Sequence, residues 1–250
     1  MIAAVLILLV LAGAWEAYAR LGPVDDFILP APTQVGTALW DDRALLWDNF
    51  LVTAQEVGLG ILVALVLGAA LAILIHLSPA LRRSVYPLLV GSQAVPVVIV
   101  APLLVVWFGF GIAPKLAIIA LVCFFPVVVT TLDALSAVDP EQRKLLRTLD
   151  ASRGQELRWV EVPAALPGAL SGAKIAVAVA VIGAVFAEYA GSSEGLGNVI
   201  LQAIPQLETA RAYAAVVLLA ALAILLFALL ALAERLLVPW ARRPHDRSRA

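Results

Sequence analysis

Four stretches of this chain lack Asp, Glu, Lys and Arg altogether: residues 57–81, 84–114, 116–132 and 212–233. About 20 apolar residues cross a bilayer core as helix, so each stretch can hold one span. Residues 2–20 add a first span. Residues 168–189 add a fifth, with Lys174 near one end where its stem can reach the headgroups. The pattern predicts an all-α polytopic membrane protein with six transmembrane helices and both termini on one side. Pro87, Pro96 and Pro102 fall within 84–114, which predicts a kinked helix with non-helical ends.

The apolar pattern is interrupted at 136–166, which carries Arg143, Lys144, Arg147, Arg153 and Arg158. This segment reads as two short helices between spans. Asp139-Pro140 supplies an N-cap and a first-turn proline, and Leu145, Leu146 and Leu149 form an apolar stripe. Asp150 breaks that helix. Ser152 and Gln155 have capping-box spacing for a second helix, which Pro163 is expected to stop, with Pro167 leading into the fifth span. Such a pair could lie on the membrane surface. Two turns in quick succession between two spans fit a protruding knob better.

Composition agrees: of 250 residues, 63% are hydrophobic and 14% charged, far from the balance of a soluble domain. The distribution of cations matters more than the net charge of −1. With both termini inside, Arg82, Arg83, the five loop cations, Lys174, Arg235, Arg242, Arg243, Arg247 and Arg249 lie on the cytoplasmic side. Only Arg20, Arg43, Lys115 and Arg211 are left outside. Trp15, Tyr18, Trp107, Tyr189, Tyr213 and Trp240 fall near the expected interfaces. Residues 1–250 read as a single transmembrane domain, with 242–250 as a basic cytoplasmic tail near anionic lipid. Ala17-Tyr18-Ala19 resembles a signal-peptidase site, but the leader has no basic start, which favours an uncleaved first span. A single cysteine, Cys123, excludes an intramolecular disulfide. His76 and His245 have no metal-ligand spacing, so no metal site is expected.

Several runs resemble one family. Residues 144–163 keep the spacing of the EAA loop in the membrane subunits of binding-protein-dependent ATP-binding-cassette (ABC) importers. Lys144-Leu145-Leu146 stands at the Glu-Ala-Ala place, Asp150 at the glycine, and Val160-Glu161-Val162-Pro163 at the closing Ile-x-Leu-Pro. Asp tolerates the left-handed conformation a glycine turn uses. The run FILPAPTQV at 27–35 is similar to the first external loop of sulfonate, taurine, nitrate and thiamine-precursor permeases. So are QAVP at 93–96, APL at 101–103, WFGFG at 107–111, FFP at 124–126 and EGLG at 194–197. Residues 129–139 and 161–167 look most like permeases for pyrimidine precursors of thiamine.

The resemblance implies the type I importer permease fold in a bacterial inner membrane. It also implies a cytoplasmic ABC ATPase dimer, an extracytoplasmic solute-binding protein and a second copy of the chain as partners. No phosphate-binding G-x-x-x-x-G-K-[ST] loop is present, so ATP and Mg would be bound by the separate ATPase. Leu145, Leu146 and Leu149 would seat in the ATPase, Lys144 and Arg147 would orient at its rim or meet lipid headgroups, and Asp150 and Ser152 would shape the turn. Gln93, beside Pro96, would face the path or bond a neighbouring helix. Glu56 and Glu188 would line the path or reach the outer headgroups. Trp107, Gly109, Gly195 and Gly197 would form the outer gate or ordinary external turns. The expected cargo is a pyrimidine precursor of thiamine, with sulfonate, taurine, nitrate and riboflavin open. No nucleic-acid partner is expected. A secondary transporter working without an ATPase would predict inverted repeats and a deep charge network, and neither is legible. An intramembrane enzyme would need more than Ser92 and His76, which fall on different spans.

Overall fold

The computed structural model describes residues 2–241, with side chains from Leu6 to Trp240; the basic tail expected at 242–250 lies outside them. Every regular element among the described residues is helical. In chain order they are α1 (Ile2–Leu21), α2 (Pro32–Asp41), α3 (Arg43–Leu77), α4 (Pro79–Ser92), α5 (Val97–Phe108), α6 (Ile112–Ser136), α7 (Pro140–Thr148), α8 (Arg153–Glu156), α9 (Val162–Gly191), α10 (Leu196–Ala203) and α11 (Thr209–Leu237).

The core is built around α6. In lipid, helices gain little by hiding apolar surface from one another, so close approach through small residues supplies the packing. Gly60 and Gly68 of α3 face Ile119 and Val127 of α6, while Glu56 meets Lys115. One register therefore runs the length of that pair, and the two helices are parallel. On its other side α6 meets α9 running the opposite way. Gly172 faces Thr130, Gly168 faces Ala134, and the Cys123 thiol donates to the carbonyl of Ala176 at 3.3 Å. A methyl added at Gly172 would sit 1.7 Å from Thr130 Oγ1, so no larger residue fits without moving a helix. The face turned away from this core, including Leu6 to Leu11 of α1, is exposed and apolar, as a lipid-facing surface must be.

The helix boundaries correct several expectations. The stretch 57–81 is divided between two helices: 57–77 continue a helix that begins at Arg43, so Glu56 lies inside α3, and 79–81 open α4. Stretch 84–114 is not one kinked helix. It is two helices, α4 and α5, bent by 101° at the Gln93 to Pro96 turn. Pro96 has no N–H and forces Val95 out of helical geometry, so the helix cannot continue through it.

Pro163 does not stop a second loop helix either. One wide turn, Leu157–Glu161, carries α8 into α9, with the Val162 N–H donating to the Leu157 carbonyl. That wider hydrogen-bond spacing absorbs the proline, as bulges of this kind do. The expected pair of loop helices is thus one free helix, α7, and one fused to the following span.

Four described helical stretches are long and apolar enough to cross a membrane: 43–77, 112–136, 153–191 and 209–237. The bent pair α4–α5 would make a fifth. The span expected at 2–20 coincides with α1, whose first residues lie outside the described side chains.

Candidate functional site

Two ends of the bundle concentrate the polar chemistry. At one end stands α7. Asp139 caps it by accepting from the Glu141 N–H at 2.9 Å, with Pro140 at the first helical position. Its far end closes through Asp150 at φ +55°. The Ala151 N–H donates to Leu146 and the Asp150 N–H to Arg147, both at 3.1 Å. This is the left-handed termination that normally takes glycine. Ser152 then opens α8 with the capping box expected of it, its N–H donating to Gln155 Oε1 at 2.7 Å.

The cations of this corner are not free. Arg147 makes a two-pronged contact to Glu156, with Nε 2.7 Å from Oε1 and Nη2 3.3 Å from Oε2. Arg153 bridges Glu156 and Glu161, each at 2.8 Å. Arg143 Nε lies 3.0 Å from Glu161 Oε1. His76, at the end of α3, approaches Glu161 Oε2 at 3.1 Å. Glu156 and Glu161 are both buried.

This cluster therefore ties α7 to the start of α9 and to the end of α3. Lys144 pairs with Glu141 at 2.7 Å in the open. Leu145 and Leu149 are 64% and 70% exposed and Leu146 is half-buried, so α7 presents apolar side chains outward. Trp159 is exposed as well.

At the opposite end, the turn after α9 is sewn onto α3. Glu188 is fully buried. It accepts from Thr53 Oγ1 at 2.6 Å and from the Gly197 N–H at 2.5 Å. The Leu196 N–H donates to Thr53 at 2.9 Å, and the Gly195 N–H to Asn49 Oδ1 at 2.6 Å. A carboxylate at the N-terminus of α10 is also favoured by the helix dipole. Gly195 has φ +107°, and a methyl there would fall 2.3 Å from the Glu188 carboxyl. Gly195 and Gly197 are thus buried and allow the turn to close on Glu188.

Close by, Glu56 and Lys115 form a buried ion pair at 2.6 Å. Glu56 Oε2 has no hydrogen-bond partner. The pair borders a cavity of about 670 Å³ together with Gln55, Phe110, Ser193 and Glu194.

The remaining predicted residues divide clearly. Gln93 is exposed in the α4–α5 turn, away from any partner shown for Glu56 or Glu188. Trp107 is exposed near the end of α5, and Gly109 takes φ +76° beside it. For Glu56 and Glu188 the headgroup alternative falls, because both carboxylates are buried and bonded within the bundle. Lys115, counted among the cations left outside, is likewise buried, in the first turn of α6.

Sequence reasoning missed Glu156, Glu161, Thr53 and Asn49. The even balance of five acids (Asp139, Glu141, Asp150, Glu156 and Glu161) against five cations in 136–166 was the only local signal. Elsewhere on this end, Glu16 of α1 accepts from the Thr33 N–H at 3.0 Å and caps α2, whose own N-cap, Ala31, has no side chain to do so. Arg211 of α11 pairs with Asp42 at 2.7 Å.

Long apolar helices with a short amphipathic helix held by salt bridges at one end define a polytopic helical membrane protein. Residues 60–243 match the family described as "Binding-protein-dependent transport system inner membrane component", and the chain belongs to that family. It is therefore a membrane-embedded permease subunit of an ABC importer, working with a separate ATPase and a binding protein. Among its relatives, a probable ABC transporter permease of Haemophilus influenzae is 37% identical over 89% of this chain and 91% of its own. The formylaminopyrimidine transport permease ThiX of Halalkalibacterium halodurans is 35% identical over 95% of both chains. A riboflavin permease, RibX, of Chloroflexus aurantiacus is 36% identical over 93% of this chain and 88% of its own. Permeases named for aliphatic sulfonates and taurine are also related. Among solved structures, the permease fold of the MetNI methionine transporter is shared at TM-score 0.62 and 20% identity, over 80% of this chain and 98% of that one.

Proposed function

We propose that this permease imports a pyrimidine precursor of thiamine, as a homodimer with both termini in the cytoplasm. The observation that carries the substrate is the full-length likeness to the formylaminopyrimidine permease, which spans 95% of both chains. The runs at 129–139 and 161–167 support it. A symmetric pair of identical subunits is the simplest closed assembly for a chain with one permease domain.

In this reading α7 is the coupling helix. Leu145 and Leu149 seat in the ATPase, which binds ATP and Mg. Lys144 and Arg147 lie at the rim, and Asp150 and Ser152 hold the turn behind it. Arg147 also couples the seat to Glu156, so a push on α7 reaches α9 directly. Trp107 and the turn bearing Gly109 face the binding protein, while Gly195 and Gly197 close the turn behind that surface. Gln93, Glu56 and Glu188 belong to the region of the path, with Glu188 holding the α9–α10 turn and Glu56 nearest the open cavity. The exposed apolar faces meet lipid.

The permeases named for riboflavin, taurine and sulfonates keep a second reading open, since the riboflavin relative is as similar as the formylaminopyrimidine one. The deciding experiment is uptake into proteoliposomes carrying the permease, its ATPase and its binding protein. An aminopyrimidine, riboflavin, taurine and nitrate would be offered separately. ATP-dependent accumulation of the aminopyrimidine alone is expected. Accumulation of taurine alone would reject the substrate and leave the importer intact. Uptake without ATP would reject the importer.

A further inference from the structure

Two buried carboxylates lie in the corner around α7, and Glu161 is the one on which more helices converge. Arg153 of α8 donates to its Oε1 at 2.8 Å, and the Arg143 guanidinium of α7 lies 3.0 Å from the same oxygen. Arg143 Nη2 in turn donates to the carbonyl of Leu135, in the last turn of α6, at 3.0 Å. On the other oxygen stands His76 of α3, 3.1 Å away, its side chain only 6% exposed. The contact to α3 holds whichever proton the imidazole carries. A ring nitrogen has either a hydrogen or a lone pair. With a hydrogen, Nε2 donates to Glu161 Oε2; without one it accepts from Arg153 Nη2, also 3.1 Å away. Arg153 holds both carboxylates, so either setting ties α3 to the same corner.

Position gives this tie its consequence. Glu161 lies in the wide turn that leads into α9, and turns of that width inside helices are frequent at functional sites. Near the far end of α9, Glu188 is bonded to Thr53 of the same α3. The two straps therefore join one antiparallel helix pair at opposite ends, roughly 40 Å apart at 1.5 Å per residue. Strapped at both ends, α3 and α9 cannot splay. A displacement entering at Glu161 then travels to the turn at Gly195 as the motion of a two-helix frame. With the inner strap cut, the inner ends separate instead, and less of the displacement arrives.

We infer that Glu161 and His76 are positioning residues for coupling, which make α3 move with α9 when the ATPase pushes on α7. The inference rests on the reading of α7 as the coupling helix, and it adds a second route beside the one through Arg147 and Glu156. Glu161 receives the push from Arg143 and Arg153, and His76 hands it to α3.

Glu161→Gln would leave two arginines at a buried site without their carboxylate, so the variants are made at His76. The measurement is the affinity of the fluorescently labelled binding protein for the permease–ATPase complex in nanodiscs, with and without AMP-PNP and magnesium. For the parent the two affinities should differ by at least about tenfold, as coupled sites do. His76→Ala should bring that ratio below about threefold, and so should His76→Phe, which keeps the bulk of the ring and loses both bonds. His76→Gln presents a donor and an acceptor at similar reach, and should stay within about twofold of the parent ratio. If a His76 variant does not assemble with the ATPase, Arg143→Gln, at a partly exposed position on the other side of Glu161, carries the test with the same loss.

A parent-like ratio in His76→Ala or in His76→Phe would overturn the inference, the second by showing that the ring acts through its bulk. A loss in His76→Gln as complete as in His76→Ala would overturn it too, as would an unchanged ratio in Arg143→Gln where that variant carries the test. Each of these results leaves α7 as the coupling helix. A parent complex that binds the binding protein equally in both nucleotide states would instead sink the coupling reading itself, and the inference with it.

Discussion

Gly58 and Gly60 lie two residues apart on α3, and replacing each by alanine should have opposite effects. A methyl at Gly60 would fall 2.4 Å from Ile119 Cγ2 and 2.7 Å from Ile119 Cβ. A methyl at Gly58 would meet nothing within 4 Å. Both substitutions gain the same helix preference of alanine over glycine, roughly 0.5–1 kcal/mol, so that contribution cancels in the comparison. What remains is the overpacking at Gly60, about 1–3 kcal/mol. Ile119 is β-branched, fully buried and stiff at its first side-chain torsion, so it cannot swing aside, which favours the upper half of that range.

The consequence reaches the site. Gly60 lies one turn along α3 from Glu56, and Ile119 one turn along α6 from Lys115, so prising the helices apart also lengthens the ion pair. The measurement is unfolding in mixed micelles with increasing SDS, followed by tryptophan fluorescence. Gly58→Ala should be as stable as the parent or slightly more so, and Gly60→Ala less stable than Gly58→Ala by that margin. Equal stability of the two variants would refute the close α3–α6 register.

At the coupling corner, Arg147→Glu places a like charge against buried Glu156, and should reduce co-purification of the ATPase or the uptake obtained per ATP hydrolysed. The exchange Arg147→Glu with Glu156→Arg should restore part of it, and failure of both to change anything would remove the pair from coupling. Asp150→Gly should stabilise by up to about 1 kcal/mol because φ +55° costs glycine nothing, whereas Asp150→Val should cost more than about 1 kcal/mol; denaturant midpoints giving the reverse order would sink the left-handed turn. Gly195→Ala combines φ +107° with a methyl 2.3 Å from Glu188, and backbone strain alone costs about 1–3 kcal/mol. Recovery of that variant at parent level as a monodisperse complex in size-exclusion chromatography would contradict the close approach of α10 to Glu188.

The caps of the coupling corner were legible because they are local. Asp139 with Pro140, and Ser152 with Gln155, act over three or four residues, and the backbone adopts what they specify. The left-handed Asp150 was legible for the same reason. Pro163 misled because a wide turn can absorb a proline, and nothing in the letters announces that turn. Lys115 misled because counting charges by loop assumes that a cation beside an apolar stretch faces water. Here the helix starts at Ile112 and turns Lys115 toward α3.

Hydrophobic runs, the interrupting charged segment and the bias of Lys and Arg are properties of short windows, so the sequence alone determined a helical membrane protein with a projecting α7. Which carboxylates are spoken for is decided elsewhere. Glu188 with Thr53, Glu161 with His76 and Glu56 with Lys115 are separated by dozens of residues, and each pair meets only when small residues let α3, α6 and α9 approach. That approach depends on the register between helices. A one-residue slip would rotate every one of those side chains by about 100° off its partner, given 3.6 residues per turn. Tertiary packing therefore decided that Glu188 is a strap and that Glu56 is held by Lys115.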